Sequence, residues 1–548
     1  MIRALTPIPE ILKGETFTAR MESICRREPR IEPLDDLKYR RILIPGLLGG
    51  EIQFALLTLL GHALRMRGAE VTGLLCDEFL PACTMKKVDH HESACTRWCY
   101  KNAGPFVRAA RLPHHWYSEF VSEREKESFL LASSRVSVED LIRYEWHDIL
   151  LGEHISRSVE SYFKVGKFDL DNPVMVTKGR NFLASAMCMV LVGERSLDLL
   201  GIDKVFMEDG KKIEWGVLRS VALRKGIPVD VITGSPRGNH LLIEHDQGNT
   251  PCDPLASWST WRDKALTREQ ETELDAYFIA RKTRPYENHD WTELRPTIND
   301  QDIRQEIGLP DRAVGHVFGL FPNLGYDAGL TKTRPMCETA SEWVVETIRF
   351  FAAHPEHHLI VKVHPGERLR DACDPTVDLI RDTFGATPPN VHVVGPDTDL
   401  TAHDVVALLD VVVVYTSTIG LEAAYFGKPV INVGGGLHAG RGISIDCRST
   451  ESYFRLLTDI CTGPAPTPAR RDLARRYAYA VFFRSVLPVR FFSSVYPNVT
   501  GLHLDGLDEL APGQDDTIDT VCRGVLCDEP FHRDAKGFCT TNTAQHTG

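Results

Sequence analysis

Two textures alternate along this chain: short apolar runs of buried-strand length, and longer stretches in which apolar residues return every three or four positions. The stretch "KYRRILIPGLLGGEIQFALLTLLGHALRMRGAEVTGLLCD" predicts a strand over 41–45, a glycine loop, a helix over 51–67 and a strand over 69–76. Gly68 stands where a helix C-terminal glycine belongs. "KVFMEDGKKIEWGVLRSVALRKGIPVDVITG" repeats the theme, with a strand over 204–207, a helix over 211–225 and a strand over 228–233. A second alternation starts at 314: strands over 314–321, 358–363, 391–394, 411–415 and 429–433, separated by helices over 338–353, 375–384, 402–408 and 419–426. Strands and helices in this order predict parallel sheets covered on both faces. Between the halves, 250–312 breaks the rhythm with Pro and Trp and predicts a helix near 267–282, opened by a Thr267/Gln270 capping box.

At 548 residues the chain exceeds one ordinary core. The pattern divides it into an irregular lead-in (1–36), a Rossmann-like first domain (37–250) with a cysteine-rich loop (76–99), and a connector (251–312). A second Rossmann-like domain (313–465), a crossing helix (466–499) and a poorly ordered tail (500–548) complete the chain. The expected fold class is α/β, two Rossmann-like domains facing a cleft onto which the carboxyl ends of both sheets open.

Composition narrows the function. A net charge of −12 excludes nucleic acid as the main partner. No apolar run reaches the roughly 18 residues of a membrane span. The opening "MIRALTPIPEILKGETF" lacks the apolar core of a secretion signal, so a cytoplasmic location is expected.

The chemistry gathers at predicted strand ends. After Val411–Val414 come Ser417, Thr418 and Gly420, at the start of a helix whose free N–H groups favour a phosphate; an ordinary helix cap uses the same residue types. "HLIVKVHPGE" ends a strand on His364-Pro365, and an imidazole there suits a phosphate contact or a proton donor. Glu208-Asp209-Gly210 closes a strand in the other half and offers a general base. Asn323 and Asp327 come after the first strand of the second half, as ligands or as a polar turn. The loop "GGGLHAGRG" carries His438 and Arg441, the latter an anion ligand or a solvated side chain.

The acidic pair before glycine, then His-Pro, then Ser-Thr resembles the motif series of bacterial polysialyltransferases and capsule Kdo transferases. "LFPNLGYDAG", "HHLIVKVHPGE", "NVHVVGPDTDL", "YTSTIGLEAAYFGKPVINVG" and the closing "RRYAYAVFFRSVLPVRFF" look like the C-terminal half of capsule and surface-carbohydrate biosynthesis proteins, over roughly 310–495 in single-sequence terms. The resemblance implies a GT-B fold, a nucleotide-sugar donor, and a carbohydrate or lipid-linked hydroxyl acceptor. It makes Asp209 or Glu208 the base, His364 a phosphate contact and acid, and Ser417 and Thr418 phosphate ligands, and it places Glu422 in the donor pocket. Two other chemistries share these features: a non-hydrolysing sugar-nucleotide epimerase, and a teichoic-acid-type phosphotransferase using a CDP-alcohol.

Two features stand apart. Cys76, Cys83, Cys95 and Cys99 are spaced C-x6-C-x11-C-x3-C, a set suited to structural zinc or an iron–sulfur cluster, with plain thiols as the alternative. The loop around them is read as too polar to order itself, so a metal staple is expected. "ARRDLARRYAYAVFFRSVLPVRFF" mixes arginines with aromatics, as a domain-crossing helix with solvated arginines or as a peripheral contact on the inner membrane face.

Overall fold

The computed structural model describes residues 17–27, 30–46, 51–84, 107–208, 210–246, 258–283, 298–311, 315–325, 337, 339–369, 375–468, 471–495 and 498–532. It holds two Rossmann-like domains. The seven-stranded first sheet runs Leu487–Pro488, His240–Asp246, Val229–Thr233, Lys204–Glu208, Arg41–Gly46, Glu70–Leu75, His114–Trp116. From Val229–Thr233 onward it is parallel, and the first two strands form an antiparallel edge. The six-stranded second sheet runs Val391–Val394, His358–Lys362, Val317–Phe321, Val411–Val414, Val430–Asn432, Ile445–Asp446, parallel throughout. In chain order that sequence is 3-2-1-4-5-6, the doubly wound arrangement of dinucleotide-binding domains.

The apolar strand runs are explained by burial on both faces. Leu43, Leu74, Val205 and Val231 enter one core of the first sheet, while Ile42, Ile44, Val71 and Phe206 enter the core on its other face. Val411 and Val413 likewise point to one side of the second sheet and Val412 and Val414 to the other, all fully buried. Strand register therefore cannot slip without exchanging the two cores. The connector helix Arg268–Thr283 begins on the predicted capping box: Thr267 N–H donates to Gln270 Oε1 (3.0 Å), and Gln270 N–H donates to Thr267 Oγ1 (3.3 Å).

Three expectations are corrected. The lead-in is not wholly irregular: Phe17–Ile24 is helical, and Met21 and Ile24 are buried in the first domain. The tail is ordered through 532. Helix Asp516–Cys527, capped by Asp515, sinks Ile518, Val521, Cys522, Val525 and Leu526 into the core that helix Glu51–Met66 also lines. Asp528 then closes the tail onto buried Lys204, which also pairs with Asp230 (2.7 and 2.8 Å). The cysteine loop is not merely polar, since Phe79, Leu80, Ala82 and Cys83 pack into the first-domain core. Apolar burial thus contributes to the order of residues 76–84.

The segment after 466 does cross between domains. Helix Arg471–Tyr479 packs in the second-domain core, a π-helical turn Ala480–Arg484 comes next, and Leu487–Pro488 joins the first sheet. Tyr477, Phe482 and Phe483 are buried, as a crossing helix requires. Arg475 pairs with Asp275 (2.7 Å) and Arg476 with Asp472 (2.5 Å), but Arg484 is buried, against the expectation of solvated arginines. No described helix is long and apolar enough to cross a membrane.

Candidate active site

In an open parallel sheet, ligands bind beyond the carboxyl ends where the strand order reverses, because neighbouring connections leave on opposite faces and open a crevice. The second sheet reverses between Val317–Phe321 and Val411–Val414, which pair with Phe321 opposite Val414. Two residues beyond, Thr416 N–H donates to Asn323 Oδ1 at 3.1 Å. Val361 lies opposite Leu320 on the other side, so the same register carries His364 to the level of Asn323. The structure thus brings together Asn323, His364 and the segment that opens with Thr416.

His364 is held in a defined state. Gly366 N–H donates to its Nδ1 at 3.0 Å, so the neutral ring carries its proton on Nε2. A Cβ at Gly366 would lie 2.9 Å from that Nδ1 and 3.1 Å from Leu324 Cδ1, so only glycine permits this close turn. Glu367 fixes the turn from below: its carboxylate accepts from Thr376 N–H (2.8 Å) and Thr376 Oγ1 (2.6 Å). The sequence reading missed Glu367, although an acid two residues past a strand-end proline is a usable signal.

Ser417 and Thr418 are half-buried at the start of helix Ile419–Tyr425. Among the described residues, Thr418 occupies the cap position without a side-chain capping bond, and Ser417 Oγ accepts only a long bond from Ile419 N–H (3.4 Å). An ordinary capping role therefore accounts poorly for the two hydroxyls. Gly420 serves packing: a Cβ there would meet His438 Nε2 at 2.7 Å and Val414 Cγ2 at 3.0 Å.

His438 belongs to the loop after Val430–Asn432. It is 1% exposed, neither ring nitrogen has a hydrogen-bond partner among the described residues, and burial pushes its pKa down to about 4. The imidazole is neutral at ordinary pH. Asp446 ties this loop down, accepting from Gly440 N–H (2.6 Å), Ser444 Oγ (2.7 Å) and Asn432 Nδ2 (3.1 Å), with half-buried Arg441 inside the span.

Glu422, placed by the resemblance in the donor pocket, is 2% exposed, and both its oxygens are bonded within the protein. Arg281 Nη2 donates to Oε1 (2.9 Å) and His403 Nε2 to Oε2. Burial alone would raise this carboxyl's pKa; Arg281 and His403 overcome it and hold the group down at about 2. Arg281 Nη1 also donates to Pro236 O (3.3 Å), in the loop after first-sheet strand Val229–Thr233. A chain of bonds therefore runs from a carboxyl-end loop of the first sheet, through Arg281, to the helix that Thr418 opens. Sequence offered no signal for this link.

The first sheet reverses between Arg41–Gly46 and Lys204–Glu208, so half-buried Glu208 ends a strand at that domain's own reversal point. The turn beyond it is set by Gly210 at φ +69°, whose N–H donates to Glu208 O (2.9 Å). Asp209 and Asp327 lie outside the described residues. Cys76 and Cys83 are buried in the first domain near Tyr117 and Glu214, while Cys95 and Cys99 lie outside the described residues. Among the described residues, no group of three His, Cys, Asp or Glu side chains is placed to hold a metal.

No protein-family model matches the chain, and neither does any curated protein sequence. Solved structures align with it at low similarity. The Thermosulfurimonas dismutans KpsC beta Kdo 2,4 transferase shares 14% identity over 57% of this chain and 88% of its own, at a TM-score of 0.33. A Methanocaldococcus jannaschii UDP-GlcNAc 2-epimerase, solved with UDP-GlcNAc and UDP, shares 12% over 80% of this chain and 98% of its own, at 0.29. The glycosyltransferase SnogD from Streptomyces nogalater shares 12% over 81% and 94%, at 0.22.

Proposed function

We propose that this chain is a glycosyltransferase, moving a sugar from a nucleotide-sugar donor to a hydroxyl of a carbohydrate or lipid-linked acceptor in surface polysaccharide or glycoconjugate assembly. One observation carries the reading. At the reversal point of the second sheet, Asn323, His364, Ser417 and Thr418 offer anion-binding groups at one level, while Glu208 ends a strand at the reversal point of the first. An acid in one domain and an anion seat in the other is the division of labour that transfer from a phosphate-activated donor requires.

In this reading the donor phosphates rest against the Nε2–H of His364 and the hydroxyls of Ser417 and Thr418, with Asn323, Asp327 and Arg441 completing the donor side. Glu208 or Asp209 takes the proton of the acceptor hydroxyl as its oxygen bonds to the anomeric carbon. The bond from that carbon to the phosphate oxygen breaks, and the nucleotide leaves with the electron pair, stabilised by the same hydrogen bonds. Gly420 and Glu422 hold the helix behind the hydroxyls rather than the donor itself.

His364→Ala should weaken nucleotide binding by about 1–3 kcal/mol, the cost of a lost charge-assisted hydrogen bond. Calorimetry with the nucleotide that best stabilises the protein, chosen from CMP, UDP, GDP and CDP, measures it. Unchanged affinity would move the phosphates elsewhere.

A further inference from the structure

Three arginines are buried among the described residues, and their surroundings differ. Arg67 is paired with Asp519 and donates to two backbone carbonyls. Arg281 has Glu422, the Tyr277 hydroxyl and Pro236 O. Arg484, 5% exposed, has neither hydrogen bond nor carboxylate among the described residues, and its Nη1 is sealed from solvent without a partner.

Its neighbours are aromatic. The guanidinium carbon lies 4.0 Å from the Trp261 ring centre and 5.1 Å from that of Tyr479. Those faces attract a cation but accept none of its five N–H groups in ordinary hydrogen bonds. The Trp261 Nε1–H is also buried without an acceptor. Three acids on the elements packed nearby are committed elsewhere, Glu273 accepting from Tyr479 Oη (2.8 Å), Asp275 from Arg475 (2.7 Å) and Asp472 from Arg476 (2.5 Å), while Glu271 and Asp263 are exposed. Donors on two stacked side chains thus lack an acceptor among the described residues, and a buried charge in that state is costly unless something else satisfies it.

The position is as informative as the chemistry. Arg484 ends the π-helical turn, and such one-residue expansions recur at functional sites. Arg237, from the carboxyl-end loop of the first sheet, donates to Phe482 O in the same turn (3.2 Å), so Arg484 sits at the domain junction.

We propose that Arg484 and the Trp261 indole N–H form a subsite for an oxyanion, a phosphoryl or carboxylate group of a ligand bound at the domain junction. The inference stands apart from the assignment of the donor phosphates to His364. The test tracks thermal stability of the full chain as inorganic phosphate replaces chloride at constant ionic strength, with acetate in a parallel arm. Wild type should gain stability with at least one of the two anions over chloride, and the anion that acts tells phosphoryl from carboxylate. Arg484→Met should lose that increment, and in chloride alone it should be at least as stable as wild type, because an uncompensated charge has gone. Trp261→Phe, which keeps the ring and removes the N–H, should reduce the increment even if Arg484→Met folds poorly. His364→Ala should retain whatever part Arg484→Met removes, which separates this subsite from the nucleotide seat. No increment in wild type, or one unchanged in both the Arg484 and Trp261 variants, would overturn the proposal and leave Arg484 as a stacked brace.

Discussion

Glu208→Gln or Asp209→Asn is expected to lower turnover by roughly 10²–10⁴-fold, the usual contribution of a positioned general base, while nucleotide affinity stays near wild type. The asymmetry comes from placement. Glu208 ends a strand in the first domain, and Asn323, His364, Ser417 and Thr418 follow strands in the second. A base that acts on the acceptor hydroxyl lowers the barrier without holding the donor, so kcat should fall with little change in donor Kd. Steady-state turnover with calorimetric donor binding on each variant checks this. Wild-type turnover in both variants would make the pair a loop element and put the base elsewhere.

Glu422→Gln should give the largest stability loss, about 3–5 kcal/mol by denaturant unfolding, because it leaves the buried Arg281 cation without its carboxylate. The pair joins the connector helix to the helix behind Ser417 and Thr418, so donor affinity should fall as well. The pH dependence has a defined sign. Glu422 titrates near 4.5 when unfolded and is held at about 2 in the folded protein by Arg281 and His403 against the cost of burial. Its contribution is therefore fully present above 4.5 and fades as pH falls toward 2. The difference between wild type and Glu422→Gln should narrow over that interval. A difference that stays constant with pH would mean the charge is not what stabilises the link.

Much of this was legible because strands declare themselves. Val411–Val414 is fully apolar since it is covered on both faces, and the polar residues after it fall at the carboxyl end by necessity. His364 and Asn323 are visible in the same way, as polar residues that stop an apolar run. That Asn323 and Thr416 touch was not legible, because strand order is a long-range property. Nor was the Arg281–Glu422–His403 link, whose members come from three separate elements with no local pattern joining them. The order of the tail was hidden because polar flanks mask a short amphipathic helix whose core residues recur at 518, 521, 522, 525 and 526. The burial of Arg484 was hidden because a guanidinium is expected in solvent, although a helical period puts 484 on the same face as buried Leu473, Tyr477 and Ala480.

In the proposed mechanism a donor held by the second domain gives its sugar to an acceptor activated by the first. The most direct measurement is product analysis by mass spectrometry after incubating the protein with a panel of nucleotide sugars, each with and without carbohydrate acceptors. Nucleotide release in step with a glycosylated acceptor is expected, with no conversion of the sugar when the acceptor is left out. An epimerised nucleotide sugar formed without acceptor, or CMP released from a CDP-alcohol with no sugar transferred, would contradict it.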